Sequence, residues 1–245
     1  MRRRGVRVRL KYTGAFDPER TGDLISGGLR RNRINVMISA GSYEHDLAVM
    51  RLGTSAHLNL PVIGCVAAGV ARFREDLGEN AEGIIGPSQW EQHAEIIPEI
   101  GPTSAEFVRR MRAQGVSGDG ECDYPAAQAY AAGVVTLAAI HAAGSLDQER
   151  IRAALSGLRT TTFFGDFAID PVTGRQTGHK MLLIQWHSGR KVIIDPSAVS
   201  GSGELEMPAG WRLILASFGS IRLSRREDAE AEEGERYKHD AEDEG

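Results

Sequence analysis

From residue 34 onward the chain alternates short, mostly apolar runs with stretches whose apolar residues fall at helical spacing, and this alternation restricts the fold more than any other feature. Residues 34–39 (INVMIS), 60–64 (LPVIG) and 83–86 (GIIG) are too short for helices and read as strands. Between them, residues 44–59 carry Leu47, Met50 and Leu58, and residues 67–77 read as a further helix closed by the breakers Gly78 and Asn80. The same order begins upstream. Val6, Val8 and Leu10 alternate with Arg7, Arg9 and Lys11 as a strand with one covered face would, and residues 17–33 place Leu24, Ile25 and Leu29 on one helical face. Strand, helix and strand in this succession predict right-handed crossovers and a parallel sheet covered on both faces, an α/β fold. Ligands of such sheets sit beyond the carboxyl ends of the strands, so residues 40–43, 64–67 and 87–90 are the loops where a site is expected.

The second half reads differently. Residues 101–103 (GPT) start a helix that carries Phe107, Val108 and Met111. Residues 123–143 form the strongest helical pattern, with Tyr130, Val134, Leu137, Ala138 and His141 on the face expected to be buried, and Gly144 ends it. Ser145 or Asp147 then caps a helix running through Leu155, with Ile151, Ala154 and Leu155 facing inward. Residues 165–170, 181–186 and 192–194 read as a β-meander with turns at 171–174 and at Ser188 and Gly189.

Charge excludes some function classes. The 29 basic and 33 acidic side chains give a net charge of −4. Ten acidic residues against two basic ones stand between Glu227 and Gly245, so the body is only slightly basic. No concentrated basic face is visible for nucleic acid, and the charged stretch after Arg225 is predicted to be disordered. Cys65 and Cys122 are the only cysteines and show no metal-ligand spacing, which favours two free buried thiols and neither metal nor cofactor. The basic N-terminus lacks the apolar stretch of an export signal, and no run reaches the length of a membrane span by this reading. Phosphate-loop, nucleophile-elbow, zinc-protease and dinucleotide motifs are all missing from the sequence, and the seven histidines are scattered. Ser39 and Ser42 are the only serines at a strand-to-helix turn, and no base is assigned to either.

Several segments read in order carry a resemblance. DYPAAQAYAAG (123–133), AAIHAAGSLD (138–147), IRAAL (151–155), GDFAIDPVTG (165–174) and LIQW (183–186) resemble the C-terminal half of the branched-chain amino-acid-binding (leucine-binding) family, the type I periplasmic solute-binding proteins of ABC transporters. Residues 6–12, 35–43, 61–64 and 81–84 fit the same order. The resemblance implies parallel, doubly wound sheets in a two-lobed clamp whose N-terminal lobe is incomplete here. Residues 1–100 would form the second lobe, 101–160 would return to the first, 161–211 would hold the last crossing and the meander, and 212–245 would be an atypical acidic tail.

The function so implied is the solute-binding component of an importer for amino acids or related small polar or carboxylate solutes, in an N-terminally shortened form. It would be non-enzymatic and partnered by a membrane permease. Without an export signal the chain would be cytoplasmic as encoded, whereas full-length relatives would be periplasmic or at the cell surface. A sensory or regulatory module of the same fold is the alternative.

The family's site residues carry over at five positions. Ser42 and Tyr43 occupy the loop that sets an aromatic ring against the ligand, although Tyr43 equally suits a helix cap. Val66 stands where an acidic residue usually meets the ligand's ammonium group, which makes free α-amino acids doubtful solutes because a buried ammonium without a counter-charge is costly. Trp90 either lines the cleft or packs between lobes, and Tyr124 lies near the cleft mouth.

Overall fold

The computed structural model describes residues 34–55, 60, 62–115, 122–197, 199 and 202–206, with residues 22, 27, 28 and 31. By internal contacts the chain forms two units, Met1–Glu206 and Met207–Gly245, and the described residues all belong to the first. The expected strand at 6–12, most of the expected helix at 17–33 and the acidic tail lie outside them.

A five-stranded sheet forms the centre, in the order β1-β2-β3-β6-β7. Its strands are β1 (Val36–Ser39), β2 (Val62–Cys65), β3 (Ile85–Ser88), β6 (Leu182–His187) and β7 (Arg190–Asp195). The first three are parallel, with Val36 opposite Val62 and Gly64 opposite Ile85, so Ser39, Cys65 and Ser88 all end on one edge. α1 (Tyr43–Ser55) and α2 (Arg72–Leu77) make the crossovers. The hairpin β6–β7 then joins antiparallel to β3, with Ile85 opposite Gln185, and makes the sheet mixed. Its two-residue turn, Ser188 and Gly189, has φ of 50° and 76°, the left-handed pair that suits a tight hairpin.

Three local expectations need correction. The helix read at 67–77 is two pieces, a 3-10 turn Val66–Gly69 and then α2. Close packing explains the break: the turn lies so near β3 that a Cβ on Gly69 would stand 2.2 Å from the Pro87 carbonyl oxygen, and one on Gly86 2.6 Å from Cβ of Ala68. The meander also divides. β5 (Gly165–Phe167) pairs with β4 (Thr160–Thr162) in a separate two-stranded sheet, and only β6 and β7 reach the main one.

The third correction concerns the long helix. α4 (Tyr124–Ala143) follows α3 (Ser104–Ala113) and precedes α5 (Gln148–Gly157). It buries Ala127, Ala131, Val135 and Ala139, not the predicted row; Leu137 is 68% exposed and His141 is exposed. The helix has no charged residue and is apolar on every side, so period alone could not choose its inner face. By length and composition it would also suffice to cross a membrane, against the expectation that no run reaches that length.

Two clusters of buried side chains hold these pieces. Met37, Met50, Phe73, Ile184, Trp186 and Ile193 belong to the one around the sheet. There the Trp186 indole N–H donates to the Ala68 carbonyl at 2.9 Å and fixes the turn after β2. Trp90, Phe107, Cys122, Ala127, Ala131 and Phe163 form the other, beneath α3 and α4. Both cysteines are free and buried, as expected.

Candidate functional site: the carboxyl-end rim of the parallel strands

At the edge where β1, β2 and β3 end, one buried carboxylate organises two neighbouring loops. Asp46, in the first turn of α1, is 0% exposed. Its Oδ1 accepts from the Ser39 hydroxyl at 2.7 Å and from the Gly41 N–H at 3.0 Å, while Oδ2 accepts from the Ala67 N–H at 2.9 Å. Burial of an ionised group is tolerated only with such partners. Asp46 thereby ties the loop after β1 to the turn after β2. The nearby Cys65 thiol is pushed up to about 12, first by burial and then by the Asp46 charge.

Ser42 and Tyr43 open α1 on this rim. Ser42 is exposed, and its hydroxyl accepts from the His45 N–H at 3.4 Å, as an N-cap does. Tyr43 leans toward α2: its hydroxyl donates to Asp76 at 2.7 Å, and the Arg72 guanidinium lies 5.4 Å from its ring centroid. Burial, followed by the bond to Asp76 and that residue's charge, raises the phenol above its ordinary range. Val66 follows β2 directly and is 50% exposed. Adjacent strands thus bring Ser42 and Val66 to neighbouring loops.

Trp90 and Tyr124 lie in the second cluster. Trp90 is 1% exposed, donates its indole N–H to the Phe163 carbonyl at 3.1 Å and meets Phe107 and Phe163 edge to face. Its ring is enclosed by protein, and the residue anchors the segment leaving β3. Tyr124 is half-buried against the same cluster at the start of α4.

Sequence reasoning missed two further groups. Asp46 carries no motif or spacing that sets it apart from the other acidic residues of its helix. Lys191, on β7 with a 1% exposed side chain, reaches Glu91 Oε2 at 3.1 Å, the Gly69 carbonyl at 3.2 Å and Asp123 Oδ1 at 3.4 Å. Asp123 in turn accepts from the Ala71 N–H with both oxygens, at 3.0 and 2.9 Å. One lysine therefore joins the turn after β2, the segment after β3, the start of α4 and the last strand, and residues 52 to 122 apart in sequence gave no local sign of it. Among the described residues, no group of three or more histidine, cysteine or carboxylate side chains is placed to hold a metal ion.

A parallel-rich α/β sheet whose strands end together at one edge is of the doubly wound class, in which ligands bind beyond the carboxyl ends of the strands. The chain belongs to the periplasmic binding protein family, whose model matches residues 44–191. Its fold is that of the type I periplasmic binding proteins. A leucine-binding protein from Thermotoga maritima is 20% identical with a TM-score of 0.60, the match covering 77% of this chain and 49% of that one. The solute-binding protein of an ABC transporter from R. palustris, solved in complex with benzoate, is 16% identical with a TM-score of 0.53, covering 74% and 48%. A branched-chain amino acid transporter substrate-binding protein from Streptococcus pneumoniae, solved with isoleucine, is 15% identical with a TM-score of 0.55, covering 76% and 48%. The chain spans about half the length of these structures. A search of curated protein sequences returns no match.

Proposed function

We propose that this chain supplies a solute-binding lobe of the receptor component of an ABC-type importer, for amino acids or related small carboxylates. The observation that carries the reading is the rim itself. Two loops at the ends of adjacent parallel strands are fixed by one buried carboxylate and present Ser42 and Val66 outward, in a chain of the periplasmic binding protein family. Such a rim binds and does not transform. The Ser39 hydroxyl is committed to Asp46, and the Ser42 hydroxyl caps a helix.

On this reading Ser42, Tyr43 and Val66 face the solute, and Trp90 with Tyr124 sets the direction in which the chain leaves the lobe. Residues 1–100 and the hairpin within 161–211 build that lobe, while 101–160 belong with the other. A membrane permease is the partner, and full-length relatives work in the periplasm or at the cell surface. Differential scanning fluorimetry of the 245-residue chain against leucine, isoleucine and benzoate tests the reading. At ten times Kd a bound solute stabilises by about 1.4 kcal/mol, a rise of roughly 3–5 °C. No response to any of these solutes at millimolar concentration would count against it.

A further inference from the structure

We infer that the chain pairs with a second copy of itself through the outer face of its central sheet. β1, β2 and β3 lie side by side in chain order, so two right-handed crossovers in one direction set α1 and α2 on the same face. That face holds the core. Met37 and Ile184 lie there with Met50 of α1 and Phe73 of α2 in one buried cluster. The sequence predicts cover on both faces, and the crossover helices among the described residues cover only this one.

Alternate residues of the same strands point the other way. Register sets Val36 and Ile38 on one face with Val62, Ile85, Pro87 and Leu183, across four strands. Ile38 is 77% exposed, Val36 46% and Leu183 38%, and none of the six belongs to a buried cluster. On the β7 side Glu206 reaches this face, its backbone N–H and carbonyl bonded to the Gln185 side chain at 2.9 and 2.8 Å. The β1 side has no such cover among the described residues. A patch of exposed, contiguous apolar side chains marks a surface that another surface covers.

The chemistry of the face selects the occupant. A two-fold contact sets each patch against its own duplicate, so any charge on it meets a like charge. All six residues are uncharged, and the exposed Asp195, Glu204 and Glu206 stand at the β7 margin. A partner of different chemistry would be chosen by charge, and this face offers none. Five strands about 4.8 Å apart, four to six residues long at about 3.3 Å each, give about 400 Å² per copy. A standard interface takes about 800 Å² from each partner and weak encounters take less, so the pair is a weak dimer that dissociates on the order of 100 μM. The inference concerns a sheet face and not the rim, and it stands apart from solute binding.

Sedimentation equilibrium of the full 245-residue chain tests it. Between about 10 μM and about 1 mM the mass should rise from the 26.6 kDa of one chain toward twice that value. Ile38→Lys sets two ammonium groups against each other across the pair and should weaken it at least about tenfold. Ile38 is mostly in water in the single chain, so the variant's urea midpoint should not move. Val36→Lys repeats the test should Ile38→Lys fail to fold. Leu137→Lys, on the exposed side of α4 and outside the sheet, should leave association unchanged. The mass of one chain throughout overturns the inference: a fallen Ile38→Lys midpoint then assigns the face to another part of the same chain, and an unmoved one leaves it to a different polypeptide. Association that ignores Ile38→Lys, or that Leu137→Lys weakens equally, overturns it too.

Discussion

Replacement of Asp46 by alanine tests whether one carboxylate holds the rim together. The substitution removes the acceptor of three hydrogen bonds, leaving the Ser39 hydroxyl and the Gly41 and Ala67 N–H groups without it. A buried donor left unsatisfied costs about 1–3 kcal/mol. Gly41 is exposed and Ser39 half-buried, so water reaches those two at modest cost, whereas Ala67 is buried and its N–H is not rehydrated without opening the turn. The sum is about 3–4 kcal/mol, a large share of the roughly 5–15 kcal/mol that a domain has in total. Asp46→Asn keeps one acceptor oxygen and gives up the charge, and should cost about half as much; Ser39→Ala removes a single bond, about 1 kcal/mol. Urea unfolding followed by far-ultraviolet circular dichroism measures all three. In a double-mutant cycle Ser39→Ala should be nearly free once Asp46 is alanine. Asp46→Ala within about 0.5 kcal/mol of the unaltered chain, the range of an ordinary surface substitution, would refute the assigned role.

Three other substitutions and labels probe the interior. Lys191→Met takes the cation away from the buried Glu91 and from Asp123, which keeps the Ala71 N–H, and should cost about 3–5 kcal/mol in urea unfolding, part of which returns when Glu91→Gln is added; a loss under about 1 kcal/mol would contradict the buried pairing. Cys65, with its thiol held up to about 12, and the buried Cys122 should resist iodoacetamide at pH 8 in the native chain and react once urea unfolds it, as mass spectrometry counts directly. Burial lowers the His179 value, outweighing the opposing pulls of the Gln89 backbone and the Asp166 charge. The folded chain then binds fewer protons at this site than the unfolded one. The stability it contributes is complete above the unfolded value of 6.5 and is lost as pH falls through the lower folded value. His179→Phe, which keeps the stack on Phe164, should flatten that decline between pH 8 and pH 5, and an identical slope in the variant would count against it.

How far the sequence disclosed this structure depended on the range of the forces involved. The parallel strands and α1 were legible because their signals are local: a short, mostly apolar run is too brief for a helix, and Leu47 and Met50 fall at helical spacing. The division of 67–77 was not legible, since nothing in AAGVARFREDL shows that β3 will press against Gly69. The inner face of α4 was hidden for the opposite reason, an apolar surface so uniform that several rows fitted equally. Tyr43 and Val66 were found by their position after a strand, but the contacts that fix their surroundings, Asp76 and Arg72 on Tyr43 and Asp46 on Ala67 next to Val66, lie 21 to 33 residues apart in sequence. Long-range polar contacts of this kind set the chemistry of the rim more than the exposed residues themselves do. A carboxylate at a strand end reads as a ligand for cations until the structure shows that three donors from the protein have already taken it. Which charges are already neutralised, Arg72 by Asp76 as much as Asp46 by its three donors, therefore limits what this rim can offer, and Val66 is the exposed apolar group beside them.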